Sequence, residues 1–206
     1  SNFHQVTFTP KRGSKGCLYC NLAIKQIADL NGHLPDGHLM NTPAHAIFNL
    51  ALLGRKKHPE WNPPIIWGAL IPDLAMFGFY ALLKFAQIPE SQIWREEYYR
   101  PFWQNVFDFF NSIPLALVGL AMALYFSRTG IALLFGSVVL HCLEDLPLHV
   151  DDGHRHFWPF SQFRFESAVS YWDPNHYGNI AAPIELVLVW IASVYLFRRV
   201  RSPFTK

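Results

Sequence analysis

His141, Asp145 and His149 recur at every fourth position, so on a regular helix the first two stack on one face. Imidazole beside carboxylate is a donor set suited to zinc, manganese or iron. Pro147 bends or ends the last turn and takes His149 off the helical line. Glu144 lies one residue off the shared face. The stretch after it, Asp151-Asp152-Gly153-His154-Arg155-His156, adds further candidate ligands and proton acceptors. Upstream, His45 and Asp73 are single ionisable residues in apolar surroundings. Each residue also has a structural reading. His45 suits a helix start bonded to a carbonyl, Asp73 a pairing with an arginine or backbone group, and His141 with Asp145 a hydrogen bond between helices. In a loop, His154 and His156 suit simple solvation.

These residues need elements to position them, and the composition says which kind. The chain is 51% hydrophobic and only 16% charged, against about 25% charged in soluble domains. Four segments are long and apolar enough to cross a bilayer: Pro64–Phe85, Phe109–Phe126, Ile131–Leu148 and Ile180–Phe197. A shorter fifth, Asn41–Leu53, starts with an N-cap residue and Pro43 in the first turn. Continuous apolarity predicts helices, since barrel strands would alternate. The expected fold is therefore all-α, a polytopic membrane bundle of four to five helices at residues 40–206. Residues 1–39 form an extension rich in turn residues, with one short helical candidate at Leu18–Leu30 and a possible docking role. No long apolar core precedes a small-residue site there, so a cleaved signal peptide is not expected.

Arg55, Lys56 and Lys57, then Arg128, then Arg198, Arg199, Arg201 and Lys206 fall on one side if five crossings alternate. The positive-inside rule makes that side, with the C-terminus, cytoplasmic, in a bacterial inner membrane or an equivalent organelle membrane. Lys11, Arg12, Lys15 and Lys25 conflict with five crossings unless the first helix only dips into the bilayer. His45, Asp108, Asn111, Ser112, His141, Asp145, His149, Asn179 and Glu185 then fall in the outer half, with Asp73 central. Ionisable groups at membrane depth are costly, so their convergence predicts a functional site near the outer side. Phe157, Trp158, Phe160, Phe163, Phe165, Tyr171 and Trp172 read as an interfacial aromatic belt above it. A net charge of +2 without a basic stripe gives no reason to expect nucleic acid. Three cysteines, Cys17, Cys20 and Cys142, make no disulfide framework.

The stretches Asn41-Thr42-Pro43-Ala44-His45-Ala46, Gly68-Ala69-Leu70-Ile71-Pro72-Asp73 and His141-Cys142-Leu143-Glu144-Asp145 resemble the YdjM-type family of membrane-bound metal-dependent hydrolases. The likeness runs from about Met40 to about Glu185. The stretch from His154 to Asp173 looks like a narrower bacterial subgroup, some of whose members carry a cobalamin-biosynthesis label; no glutamine-amidotransferase nucleophile motif is present. The family usually opens its third helix with an H-R-G-x-T-H-S element. Here the matching residues are Asp108-Phe109-Phe110-Asn111-Ser112, without either histidine.

Two functions follow as expectations. The first is a membrane-embedded hydrolase acting on a lipid or other amphipathic ester or phosphoester. Its divalent metal, zinc by preference, would be held by His45, Asp73, His141, Asp145 and His149. Asp151, Asp152 and His154 would serve as general bases or further ligands, with Arg155 or Arg164 holding an anionic group. The second is a non-enzymatic accessory or assembly subunit of a larger membrane complex, its polar cluster structural.

Overall fold

The structure, a computed structural model, describes residues 42–150, 152–171 and 173–199. The extension at 1–39, Asn41, Asp151, Trp172, Arg201 and Lys206 lie outside the described residues. Those described are all-helical, with no strand among them. Helix α1 is Thr42–Leu53, and α2 is Asn62–Phe85 after a 3-10 turn at Pro59–Trp61. A short α3, Glu90–Gln92, runs into a π-helical turn at Ile93–Glu97. Then come α4 at Pro101–Phe110, α5 at Ile113–Tyr125, and α6 at Thr129–Asp145, which ends in a 3-10 turn at Leu146–Leu148. Last is α7, Gly178–Arg199, after a 3-10 turn at Pro174–His176.

Four helical stretches are long and apolar enough to cross a membrane: Pro59–Phe85, Pro101–Tyr125, Thr129–Leu148 and Gly178–Phe197. The 12-residue α1 is shorter. One boundary differs from the sequence expectation. The stretch predicted from Phe109 begins at Pro101 and breaks at Asn111 and Ser112. Its first half is amphipathic and buries Gln104, Phe107 and Asp108, so it shows no continuous apolar run. The break follows from Pro114, which cannot donate to the carbonyl one turn back. Ser112 caps the new start, its Oγ accepting from the Leu115 N–H at 3.2 Å.

The centre of the bundle is the contact of α2 with α6, flanked by α5 against α6 and α1 against both. Close approach depends on Gly68: a Cβ there would lie 2.2 Å from the Leu134 carbonyl oxygen and 2.7 Å from Ser137 Cβ. At this contact Ser137 Oγ donates to the Ile65 carbonyl at 2.6 Å. Asn49 Nδ2 donates to Ser137 Oγ at 2.8 Å and to its carbonyl at 2.9 Å. Three helices are thus tied by two small polar side chains, the usual means of holding helices together in lipid. Asn49→Leu is expected to lower stability by about 1 kcal/mol, within the range of interhelical hydrogen bonds in membranes, measurable by unfolding in mixed micelles.

A second cluster joins α2, the π turn and α4. Phe79 packs edge-on against Phe107 and Trp103, at ring centroid distances of 5.3 and 4.9 Å. Beside it Glu90 accepts from Tyr80, Lys84 and Trp94, which fixes the return of the chain to α4.

Candidate metal centre

The last turn of α6 carries His141 and Asp145 on one face, as their spacing requires, and both are fully buried. His141 Nδ1 lies 2.8 Å from the Ala69 carbonyl on α2. A carbonyl only accepts, so Nδ1 carries the proton and Nε2 of the neutral ring keeps its lone pair. That Nε2 is buried without a hydrogen-bond partner. It lies 3.2 Å from Asp145 Oδ2 and 3.5 Å from Asp73 Oδ1.

His45, near the start of α1, is arranged the same way. Its Nδ1 is 2.7 Å from Glu144 Oε2, and its Nε2 is 3.2 Å from Asp145 Oδ1. The two imidazole centroids are 4.0 Å apart. Asp145 therefore turns one oxygen to each ring, and the donor atoms of His45, His141 and Asp145 all lie within 4.8 Å of one another. Asp73 adds a third carboxylate beside those of Asp145 and Glu144, its Oδ2 accepting from Thr42 Oγ1 at 2.6 Å.

These three residues are a group that could hold a metal ion. Donors at about 2.0–2.1 Å from a tetrahedral ion stand about 3.3 Å from each other, close to the 3.2 and 3.5 Å separations seen here. Each ring's second nitrogen is engaged by a carbonyl or a carboxylate, the arrangement that orients metal-binding histidines. Three carboxylates gathered in a buried space also favour a cation between them.

The loop after α6 extends the polar cluster. His149 Nε2 is 3.7 Å from Asp145 Oδ1, and its Nδ1 is 3.1 Å from Asp152 Oδ2. Burial opposes charge on this ring, yet Asp145 and Asp152 raise its pKa to about 10. His154 is buried with Nδ1 3.8 Å from Asp108 Oδ1, and burial pushes its pKa down to about 3. It is neutral at physiological pH. Burial also lowers His156, whose ring Nδ1–H donates to the Asn111 carbonyl at 3.1 Å.

The arginines hold this loop in place. Arg155 donates from its backbone N–H and Nε to Asp108, at 2.9 and 2.5 Å, and from its other nitrogens to Asn105 and Gln162. Arg164 bridges the Gly153 carbonyl and Gln104 Oε1. Of the residues singled out in the sequence, His45, Asp73, His141, Asp145, His149 and Asp152 form one connected cluster. His154 stands at its edge, beside Asp108. Arg155 points to α4 and the loop. Glu144 as the partner of His45, and Thr42 as the partner of Asp73, are the additions made by the structure. Spacing alone gives no signal for either, since both partners come from other helices. In comparisons with known proteins, the chain matches no family model, no curated protein and no solved structure.

Proposed function

We propose that the protein is a membrane-embedded, metal-dependent hydrolase-like enzyme acting on a lipid or another amphipathic ester or phosphoester. The observation that carries this reading is the pair of imidazole Nε2 atoms turned onto the two oxygens of one buried carboxylate. The resemblance to YdjM-type hydrolases points the same way. His45, His141 and Asp145 would hold the ion, with Asp73 and His149 completing its surroundings. A divalent metal, zinc by preference for this nitrogen-rich donor set, would supply Lewis acidity and a bound water of pKa near 7. His154, held neutral with its pKa pressed down to about 3 by burial, is a poor proton acceptor and would serve better as a further ligand. Asp152 lies against His149 and orients it. Asp151 keeps the role of a further base.

The first test is elemental analysis of the purified full chain, with about one divalent ion per chain expected. Because a ligand set that holds protons must release them on binding metal, calorimetry in two buffers of different ionisation enthalpy should show proton release. Protein that binds no divalent ion under either condition ends this reading.

A second reading is favoured by one observation. Asp108, which stands where the family has its H-R-G-x-T-H-S element, is committed to Arg155. A non-enzymatic subunit with a structural metal would need only such loop anchoring. Metal-loaded protein that hydrolyses no ester or phosphoester, yet loses its fold on chelation, would favour it.

A further inference from the structure

A cavity of about 750 Å³ opens beside the cluster, between α1, the end of α6, the following loop and α7. One wall is polar, built from His45, Glu144, Asp145 and His149. The others are mostly hydrocarbon, with Phe48 on α1, Val169 in the loop, and Ala181, Ile184 and Leu188 on α7, where Glu185 is the acidic exception. The volume is that of a ligand site for a medium-sized molecule. Its shape is amphipathic: ionisable donors at one end and side-chain carbon along the rest.

The surroundings say what fills it. Helix α7 is one of the four membrane-length helices and, apart from Gly178 at its start, has no buried residue in its span. Its main helical neighbour is α1. But α1 has 12 residues, about 18 Å of helix, against a hydrocarbon core of about 30 Å. It cannot cover α7 over the full depth of the bilayer. Ile184 and Leu188 therefore border both the cavity and the outside, at 55% and 49% exposure. At this depth the medium outside is lipid, and an apolar cleft continuous with it excludes water.

We propose that this cavity seats a hydrocarbon chain of a membrane phospholipid, admitted sideways between α1 and α7. The lipid's ester region would then rest against His45 and Asp145. The proposal deepens the hydrolase reading, which it needs only for the chemistry at the polar wall. Seating the chain requires no metal. Glu144, Asp145 and Glu185 all line the cavity, so a lipid whose headgroup carries an amine suits it better than a purely anionic one.

The test uses the full chain in vesicles of phosphatidylethanolamine and phosphatidylglycerol, doped with phosphatidylethanolamine bearing a diazirine at one chain end. After illumination, adducts are mapped by mass spectrometry in chelated and zinc-supplemented samples. Adducts on Phe48, Val169 and Ile184 should exceed those on Leu186 and Trp190, which only face outward. Ala181→Trp, which fills the cavity, should lower cavity adducts about tenfold, a loss of about 1.4 kcal/mol in affinity, and leave Trp190 labelling unchanged. Ile184→Trp, at an exposed position, is the second filling variant should the first fold poorly. Cavity labelling no stronger than on Trp190, or untouched by both filling variants, overturns the proposal, as does cross-linking showing residues 1–41 or a second copy in the cavity. Cavity adducts in protein that binds no metal would leave this inference standing and remove the hydrolase reading alone.

Discussion

Asp145→Asn is expected to weaken metal retention by more than about 100-fold, and Glu144→Gln by about 10- to 100-fold, the range for partners that orient metal ligands. The difference follows from what each carboxylate touches. Asp145 offers one oxygen to the His45 Nε2 and the other to the His141 Nε2. Asparagine keeps the size but removes the charge, and its NH₂ group would face a lone pair it can only cap. Glu144 touches His45 through Nδ1 and holds the ring at the angle that aims Nε2 inward. Glutamine can still accept there, so the ring keeps a weaker anchor. Competition with a chelator of known affinity would rank the variants. Equal retention by wild type and Asp145→Asn would mean that His45 and His141 are a packing pair, and the site assignment would fall.

Gly68→Ala should cost about 1–3 kcal/mol or more, the range for overpacking a well-packed interior, while Gly78→Ala on the same helix should be neutral or slightly stabilising. A Cβ at Gly68 meets backbone at 2.2 Å, and backbone cannot swing aside as a side chain can. At Gly78 nothing lies within 4 Å. The comparison holds helix propensity fixed and varies only the neighbour. The effect should reach the site as well. Gly68 precedes Ala69, whose carbonyl anchors His141 Nδ1. Pushing α2 from α6 lengthens that bond and frees the ring, so Gly68→Ala should also lose metal affinity. Unfolding in mixed micelles and metal content on the same preparations would check both halves. If Gly68→Ala were as stable as Gly78→Ala, the close contact of α2 with α6 would be refuted.

Much of the fold was legible along the chain because the cost of placing residues in lipid is nearly additive from one position to the next. Long apolar stretches announced four helices, and the short Asn41–Leu53 stretch announced α1. The second of the four long stretches starts earlier than its apolarity indicates because Gln104 and Asn105 dilute it, although Pro101 and Pro114 mark its start and its break. The partners of the loop arginines were not legible. Arg155 meets Asp108 and Asn105, and Arg164 meets Gln104. Those partners lie on α4, about 50 residues away or more, and nothing local encodes them.

Imidazole and carboxylate groups among helices long and apolar enough to cross a membrane could be read from the chain alone, since residue types and apolar runs are properties of single positions. Which atom of each group does what depends on contacts between helices far apart in the chain. The proton on His141 Nδ1 is set by a carbonyl 72 residues away, and the aim of His45 by a carboxylate 99 residues away. The rotation of each helix about its own axis, fixed by contacts such as Gly68 against Leu134, turned separate residues into one facing set of donors.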